Sequence, residues 1–260
     1  MYCERGCQRM LEGLTVAVPI IVNGDIDANL QMIIQYIDKA SLQNARLVLF
    51  PETCLTGLVN DDNYEHDKNI AIALTSRYIL QIREKAKEKG IWVAFGFFEI
   101  DDGVIYDAAI LINNIGEVVL HQRRTSRGWR ASNLPNEQYA EGIAFETTET
   151  PWGKTGFLIC GDLFDTWEAA RDAKLNLLLF PFARCFSNGV EDFEKEWTKE
   201  WPDYAEQIGK VGADITLGTN YISQYKPSGH SDYFGGAFIA DKNGKQLTNR
   251  PLNHEGLLYD

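Results

Sequence analysis

The sequence predicts an α/β fold, on two observations. Short apolar runs bounded by Pro or Gly alternate with segments whose apolar residues recur at helical spacing. In addition, Leu47-Val48-Leu49-Phe50-Pro51 is echoed by Leu177-Leu178-Leu179-Phe180-Pro181, 130 residues on, which is half of the 260-residue chain. Each pentamer follows a helical segment, so the pattern reads as one α/β layer used twice. Apolar residues make up 45% of the chain, with 13 Phe, 11 Tyr and 6 Trp, which suffices for a sizeable core and excludes a disordered chain.

The elements follow in order. Val16–Ile21 is β-branched and apolar and reads as the first strand, with Gly24-Asp25 as punctuation. Leu30, Ile33, Ile34, Ile37 and Leu42 give Asp27–Leu42 an amphipathic helical face. Leu47–Phe50 is a continuous apolar run that suits a strand buried on both faces. Ile72–Lys89 reads as a helix, ending in Lys85, Lys87 and Lys89 with Gly90 as its left-handed cap. Strands are expected at Trp92–Phe98, Ile105–Asn113 and Glu117–His121, the last two joined by a turn at Asn114–Gly116. The second half runs strand Thr155–Cys160, short helix Trp167–Ala173, and buried strand Leu177–Phe180. Trp197, Trp201, Tyr204, Ala205 and Ile208 mark a helical face, with Pro202 at the first turn of its C-terminal part. Strands Ile215–Thr219 and Gly235–Ala240, with a turn at Asp241–Gly244, close the chain. No flexible linker interrupts the order, so residues 1–260 read as a single domain, with 1–13 as a poorly ordered extension.

Charge narrows the function. Lys and Arg number 25 against 37 Asp and Glu, a net −12 that repels nucleic-acid phosphates and anionic lipid heads. No apolar run approaches the roughly 18–20 residues of a membrane span. Met1–Met10 is too polar for a secretory leader. The five cysteines, at 3, 7, 54, 160 and 185, are odd in number and sparse, which fits a reducing cytoplasm. Cys3 and Cys7 lack the further ligands of a zinc site, and no metal or organic cofactor is expected.

Four segments carry candidate chemistry. Glu52 stands just past the buried Leu47–Phe50 run, where strand ends line active sites. Cys160 ends an apolar strand and precedes Gly161, whose N–H is free to meet a developing oxyanion. The basic stretch His121–Ser126 contains Arg123 and Arg124, and Glu137 lies five residues before Gly142. Neither a GxSxG elbow nor an HExxH pair occurs, and Gly153-Lys154-Thr155 lacks the first Gly of a phosphate loop. A Cys–His pair of Cys160 with His121 stays open.

Together these segments resemble the carbon–nitrogen hydrolase (nitrilase) superfamily. Leu49-Phe50-Pro51-Glu52-Thr53-Cys54-Leu55-Thr56-Gly57 is similar to the motif that carries its general-base Glu. Ile159-Cys160-Gly161-Asp162 is similar to the motif of its nucleophilic Cys, and Gly116–Arg124 to the stretch leading to its catalytic Lys. Glu137 takes the place of its second active-site Glu. Tyr233–Gly236 and Asp241–Gly244 also fit. The chain departs from the pattern at Arg124, where the family has Lys, and in Tyr204–Val211, which lacks the family's usual Arg-Ala and Glu-Asn pattern. The resemblance implies a four-layer α-β-β-α sandwich of two pseudo-symmetric halves, and a homo-oligomer. It further implies hydrolysis of a small linear amide through a thioester on Cys160. Glu52 is then the base, Arg124 and the Gly161 N–H hold the oxyanion, and Glu137 positions the substrate or the cation. The alternative is a catalytically impaired member that binds a small amide or a protein. Pocket walls are expected from Thr56–Asn63, Trp129–Asn136 and Phe182–Val190, with Trp129, Phe182, Arg184 and Phe186 as shapers of specificity and Arg184 as a clamp for a substrate carboxylate.

Overall fold

The computed structural model describes residues 12–58, 60–186, 190–223 and 232–260. Residues 1–11 of the expected extension, with Cys3 and Cys7, and residues 59 and 187–189 of the expected pocket walls lie outside the described residues.

Chain order in the first half is β1 (Leu14–Val18), β2 (Ile20–Ile21), α1 (Ile26–Leu42), β3 (Leu47–Leu49), α2 (Tyr64–Asp67), α3 (Arg77–Lys89), β4 (Trp92–Asp101), β5 (Val104–Ile112) and β6 (Val118–Arg123). The second half runs β7 (Thr147–Thr150), β8 (Gly153–Phe157), α4 (Asp162–Asp165), α5 (Glu168–Ala173), β9 (Leu177–Pro181), β10 (Cys185–Phe186), α6 (Phe193–Val211), β11 (Ile215–Thr219), β12 (Ile222–Ser223), β13 (Asp232–Tyr233), β14 (Gly235–Asp241), β15 (Gln246–Leu252) and β16 (Gly256–Tyr259).

Two six-stranded sheets result, in the orders β16-β1-β3-β4-β5-β6 and β7-β8-β9-β11-β14-β15. Each holds three parallel strands, β1, β3, β4 or β8, β9, β11, flanked by antiparallel partners. Period-two alternation sorts their side chains. Leu47 and Leu49 meet Leu177 and Leu179 in a layer shared by both sheets, while Val48 and Phe50 face the other way, under Ile33 and Ile37 of α1 and Ile79 and Ile82 of α3. On the far side, Leu178 and Phe180 pack with Tyr204, Ile208 and Val211 of α6. The expected four-layer α-β-β-α sandwich is therefore the observed arrangement. Both faces of the central strands are covered, which explains their continuous apolar runs.

Local differences have identifiable causes. Pro19, which cannot donate to a ladder, divides the expected first strand into β1 and β2. The helix expected from Ile72 begins at Arg77 instead. Ser76 caps it by accepting from the Ile79 N–H, and Ile72 lies beside Glu99 of β4 as an isolated bridge. Gly90 caps its end at φ 64°. Pro202 sits inside a continuous nineteen-residue α6 rather than at a helix start. β7, β15 and β16, all edge or next-to-edge strands, carry no continuous apolar run and were not expected. Among the described residues, no helix is long and apolar enough to cross a membrane.

Candidate active site

Glu52 follows β3 in a tight turn that lies directly on β4. Leu55 N–H donates to the Gly96 carbonyl, and Gly96 N–H to that of Pro51. A Cβ at Gly96 would fall 2.8 Å from the Glu52 Cα, so only glycine permits this approach. The turn leaves Glu52 with no exposed surface.

Cys160 follows β8. Its N–H donates to the Pro181 carbonyl at 3.0 Å, which continues the β8–β9 ladder, and then the chain turns with φ 47° at Cys160. This left-handed conformation costs a non-glycine residue roughly 1–3 kcal/mol and needs support from its surroundings. Asp162 supplies it. Its Oδ2 accepts from Ile159 N–H at 3.1 Å, bracing the bend from below. Its Oδ1 accepts from the N–H groups of Thr125 and Ser126 at 3.0 and 2.7 Å, tying the bend to the loop after β6.

That loop brings Arg124 over the bend. Arg124 N–H donates to the Asp107 carbonyl, and Gly142 N–H to the Arg124 carbonyl, each at 2.8 Å. Arg124 is 6% exposed, and four of its five guanidinium N–H groups are engaged. Nη1 donates to Glu52 Oε1 at 2.9 Å and Asp107 Oδ2 at 3.4 Å, Nε to Ser126 Oγ at 2.9 Å, and Nη2 to the Arg127 carbonyl at 3.4 Å. A Cβ on Gly161 would land on Nη2, so the cation rests against the backbone that follows the thiol. The structure thus gathers Glu52, Arg124, Cys160 and Gly161 from distant parts of the sequence.

Burial dominates the electrostatics. It pushes the Glu52 carboxyl up to about 8, and the neighbouring Cys160 adds to this, while Arg124 and a hydrogen bond with Asp107 pull the other way. Burial and then Glu52 hold Asp107 well above the usual carboxylate range. For Arg124, burial opposes the charge, but Cys160, Glu52, Asp107 and Asp162 outweigh it, and the guanidinium stays protonated.

Other expected residues stand elsewhere. Glu137 is exposed, in the turn where Gln138 and Tyr139 donate to the Pro135 carbonyl, and it makes no hydrogen bond to the cluster. The second buried carboxylate on the Arg124 guanidinium is Asp107. His121 Nε2 donates to Glu99 Oε2 at 2.8 Å, beside Arg123, and so belongs to a separate polar cluster rather than a Cys–His pair. Arg184 is engaged by Glu200 and the Cys185 carbonyl, so it is not a free carboxylate clamp. Phe182 stacks on Phe180 and Trp197 in the layer under α6. Trp129 packs between Phe98 and Tyr139. Sequence reasoning missed Asp107, Ser126 and Asp162 as site residues. The signal for Asp107 was a lone acid in an otherwise apolar strand, Val104–Ile112.

The model of the family described as carbon-nitrogen hydrolase matches residues 14–260. The chain belongs to the carbon-nitrogen hydrolase family. Curated relatives include a cyanide hydratase of Alternaria brassicicola, 26% identical over 74% of this chain and 53% of its own length. The nitrilase and fragile histidine triad fusion protein NitFhit of Drosophila melanogaster is 30% identical over 72% of this chain and 42% of its own length. The chain spans about half the length of these curated relatives. Among solved structures, NitN amidase from Nesterenkonia sp. AN1 superposes with TM-score 0.74, at 18% identity, over 95% of this chain and 91% of that one. An amidase from Nesterenkonia sp. gives TM-score 0.72 at 19% identity, over 94% and 87%. These superpositions show that this carbon-nitrogen hydrolase has the fold of those amidases.

Proposed function

We propose that this chain hydrolyses the carbon–nitrogen bond of a small amide through a thioester on Cys160. The observation that carries the reading is the meeting of three groups. Cys160 lies near enough to Glu52 to push its carboxyl up, and Arg124, bonded to Glu52 at 2.9 Å, rests on the Gly161 backbone next to the thiol. A buried carboxylate whose proton affinity is raised is a stronger base, and its acid form returns the proton readily.

Glu52 takes the thiol proton, and Cys160 Sγ forms a bond to the substrate carbonyl carbon. The developing oxyanion is met by the Gly161 N–H and the Arg124 guanidinium, fixed donors in a water-poor site. Collapse breaks the C–N bond, and the Glu52 proton passes to the leaving nitrogen. Glu52 then takes a proton from water, whose oxygen attacks the thioester carbon and releases acid and thiol. A solved relative from Nesterenkonia sp. AN1 is described with the acetamide moiety of fluoroacetamide on its active-site cysteine, which supports the covalent step.

A second reading, a binding module without turnover, is favoured by the commitment of four Arg124 N–H groups to Glu52, Asp107, Ser126 and the Arg127 carbonyl. The separating experiment is an ammonia-release screen over small amides and nitriles with wild type and Cys160→Ala. Release that disappears in the variant is expected. Binding of an amide without release by the wild type overturns the hydrolase reading.

A further inference from the structure

The carboxylates of Glu52 and Asp107 share one donor. Arg124 Nη1 reaches Glu52 Oε1 and Asp107 Oδ2, and neither acid has meaningful exposure. Their other oxygens, Glu52 Oε2 and Asp107 Oδ1, are buried and accept no hydrogen bond from any described residue. The two side chains nevertheless lie within hydrogen-bonding reach of each other. Two buried carboxyls on one guanidinium nitrogen, each with an oxygen left unpartnered, call for a hydrogen between them, because an unsatisfied buried oxygen costs about 1–3 kcal/mol and a second unpaired charge costs more.

Charge counting agrees. Arg124 supplies one positive charge, Glu52 and Asp107 two negative ones if both ionise. Asp162 also faces the pair from the start of α4, with Cys160 beside it. Asp162 is already satisfied by three backbone N–H groups, whereas Asp107 has none on its side chain.

Resting on the amidase reading above, we infer that Asp107 is a positioning residue: it keeps one proton on Oδ1 and donates it to Glu52 Oε2, so that Glu52 rests ionised between Asp107 and Arg124, ready for the Cys160 proton. The Asp107 proton is not consumed in turnover. It neutralises the extra acid and leaves a Glu52⁻/Arg124⁺ pair whose net charge is zero. Burial and the neighbouring Glu52 favour the protonated form of Asp107, in line with this arrangement.

Two readouts test it. Infrared spectroscopy near neutral pH distinguishes a protonated carboxyl from a carboxylate. The wild-type spectrum is expected to contain a buried carboxylic-acid band that Asp107→Asn lacks. Persistence of that band in Asp107→Asn places the proton on Glu52 and overturns the inference. The second readout is the acid limb of kcat/KM. Asn still donates to Glu52 Oε2, so Asp107→Asn keeps the wild-type midpoint. Asp107→Leu removes the donor and moves the midpoint up by about one pH unit. Equal losses in both variants at every pH, with no shift, mean a merely structural Asp107 and also overturn it. If the wild type itself turns over no amide, the amidase reading fails, and the infrared band alone decides where the proton lies.

Discussion

Val16 in the first half pairs with Leu49, and Phe157 in the second pairs with Leu179. Counting three residues on from each aligns Pro19 with Cys160 and Glu52 with Phe182. At the first pair, the first half runs on as strand β2, while the second bends at φ 47° and exposes a thiol. At the second pair, the first half places a carboxylate against a guanidinium, and the second stacks an aromatic ring on Phe180 and Trp197. The ladders are alike, so the ladder does not decide which strand end carries chemistry. The neighbours do. Glu52 has Arg124 within reach, and Phe182 has only apolar rings.

Several substitutions break or sharpen this contrast. The largest effect is expected from Cys160→Ala, which removes the nucleophile and lowers amide turnover roughly 10⁴-fold or more in an ammonia-release assay. Glu52→Gln follows, at about 10²–10⁴-fold. Burial, and then the neighbouring Glu52, hold the Asp107 proton well above its ordinary value of 3.8, so the folded chain binds it more tightly than the unfolded one. That contribution is complete below pH 3.8 and is lost as pH rises through the raised value, so the wild-type Tm falls as pH rises. Calorimetry of Asp107→Asn should show a flatter Tm–pH curve, and an unchanged slope would contradict the assignment. The mirror substitution, Phe182→Glu, buries a charge with no cation and should destabilise the fold by about 3–5 kcal/mol in denaturant titration. Arg124→Lys keeps the charge but gives up the fork that meets Glu52, Asp107, Ser126 and Arg127 together. Its kcat/KM is expected to fall about 10²-fold, and a rise would mark the arginine as a handicap. Glu137→Gln, in an exposed turn, should leave kcat/KM within about two-fold, since surface changes are nearly neutral.

Much of this was legible in the residues themselves. Leu47–Pro51 and Leu177–Pro181 announced the repeat because strands covered on both faces must be apolar throughout. Glu52 and Cys160 could be singled out because each stands at a strand end, and the structure brings both beside Arg124. Glu137 was singled out by its spacing to Gly142, and it lies in an exposed turn apart from the buried cluster. Gly142 does anchor Arg124 through its N–H, but the intervening residues form a surface turn. Asp107 escaped notice because an acid within a strand has no sequence neighbour that explains it. Its partners Glu52 and Arg124 arrive from other strands. The edge strands escaped for a related reason, since half-covered strands carry weaker patterns.

Asp162 has a mechanical consequence. One carboxylate grips the loop that carries the cation with one oxygen and the bend that carries the thiol with the other. Cation and thiol therefore ride on a shared bracket. When the sheets shift against each other, the spacing between charge and sulfur is preserved, because both ends are fastened to the same small rigid group. The spacing between charge and sulfur is thus fastened locally, across the two sheets, by a carboxylate that takes no part in the chemistry.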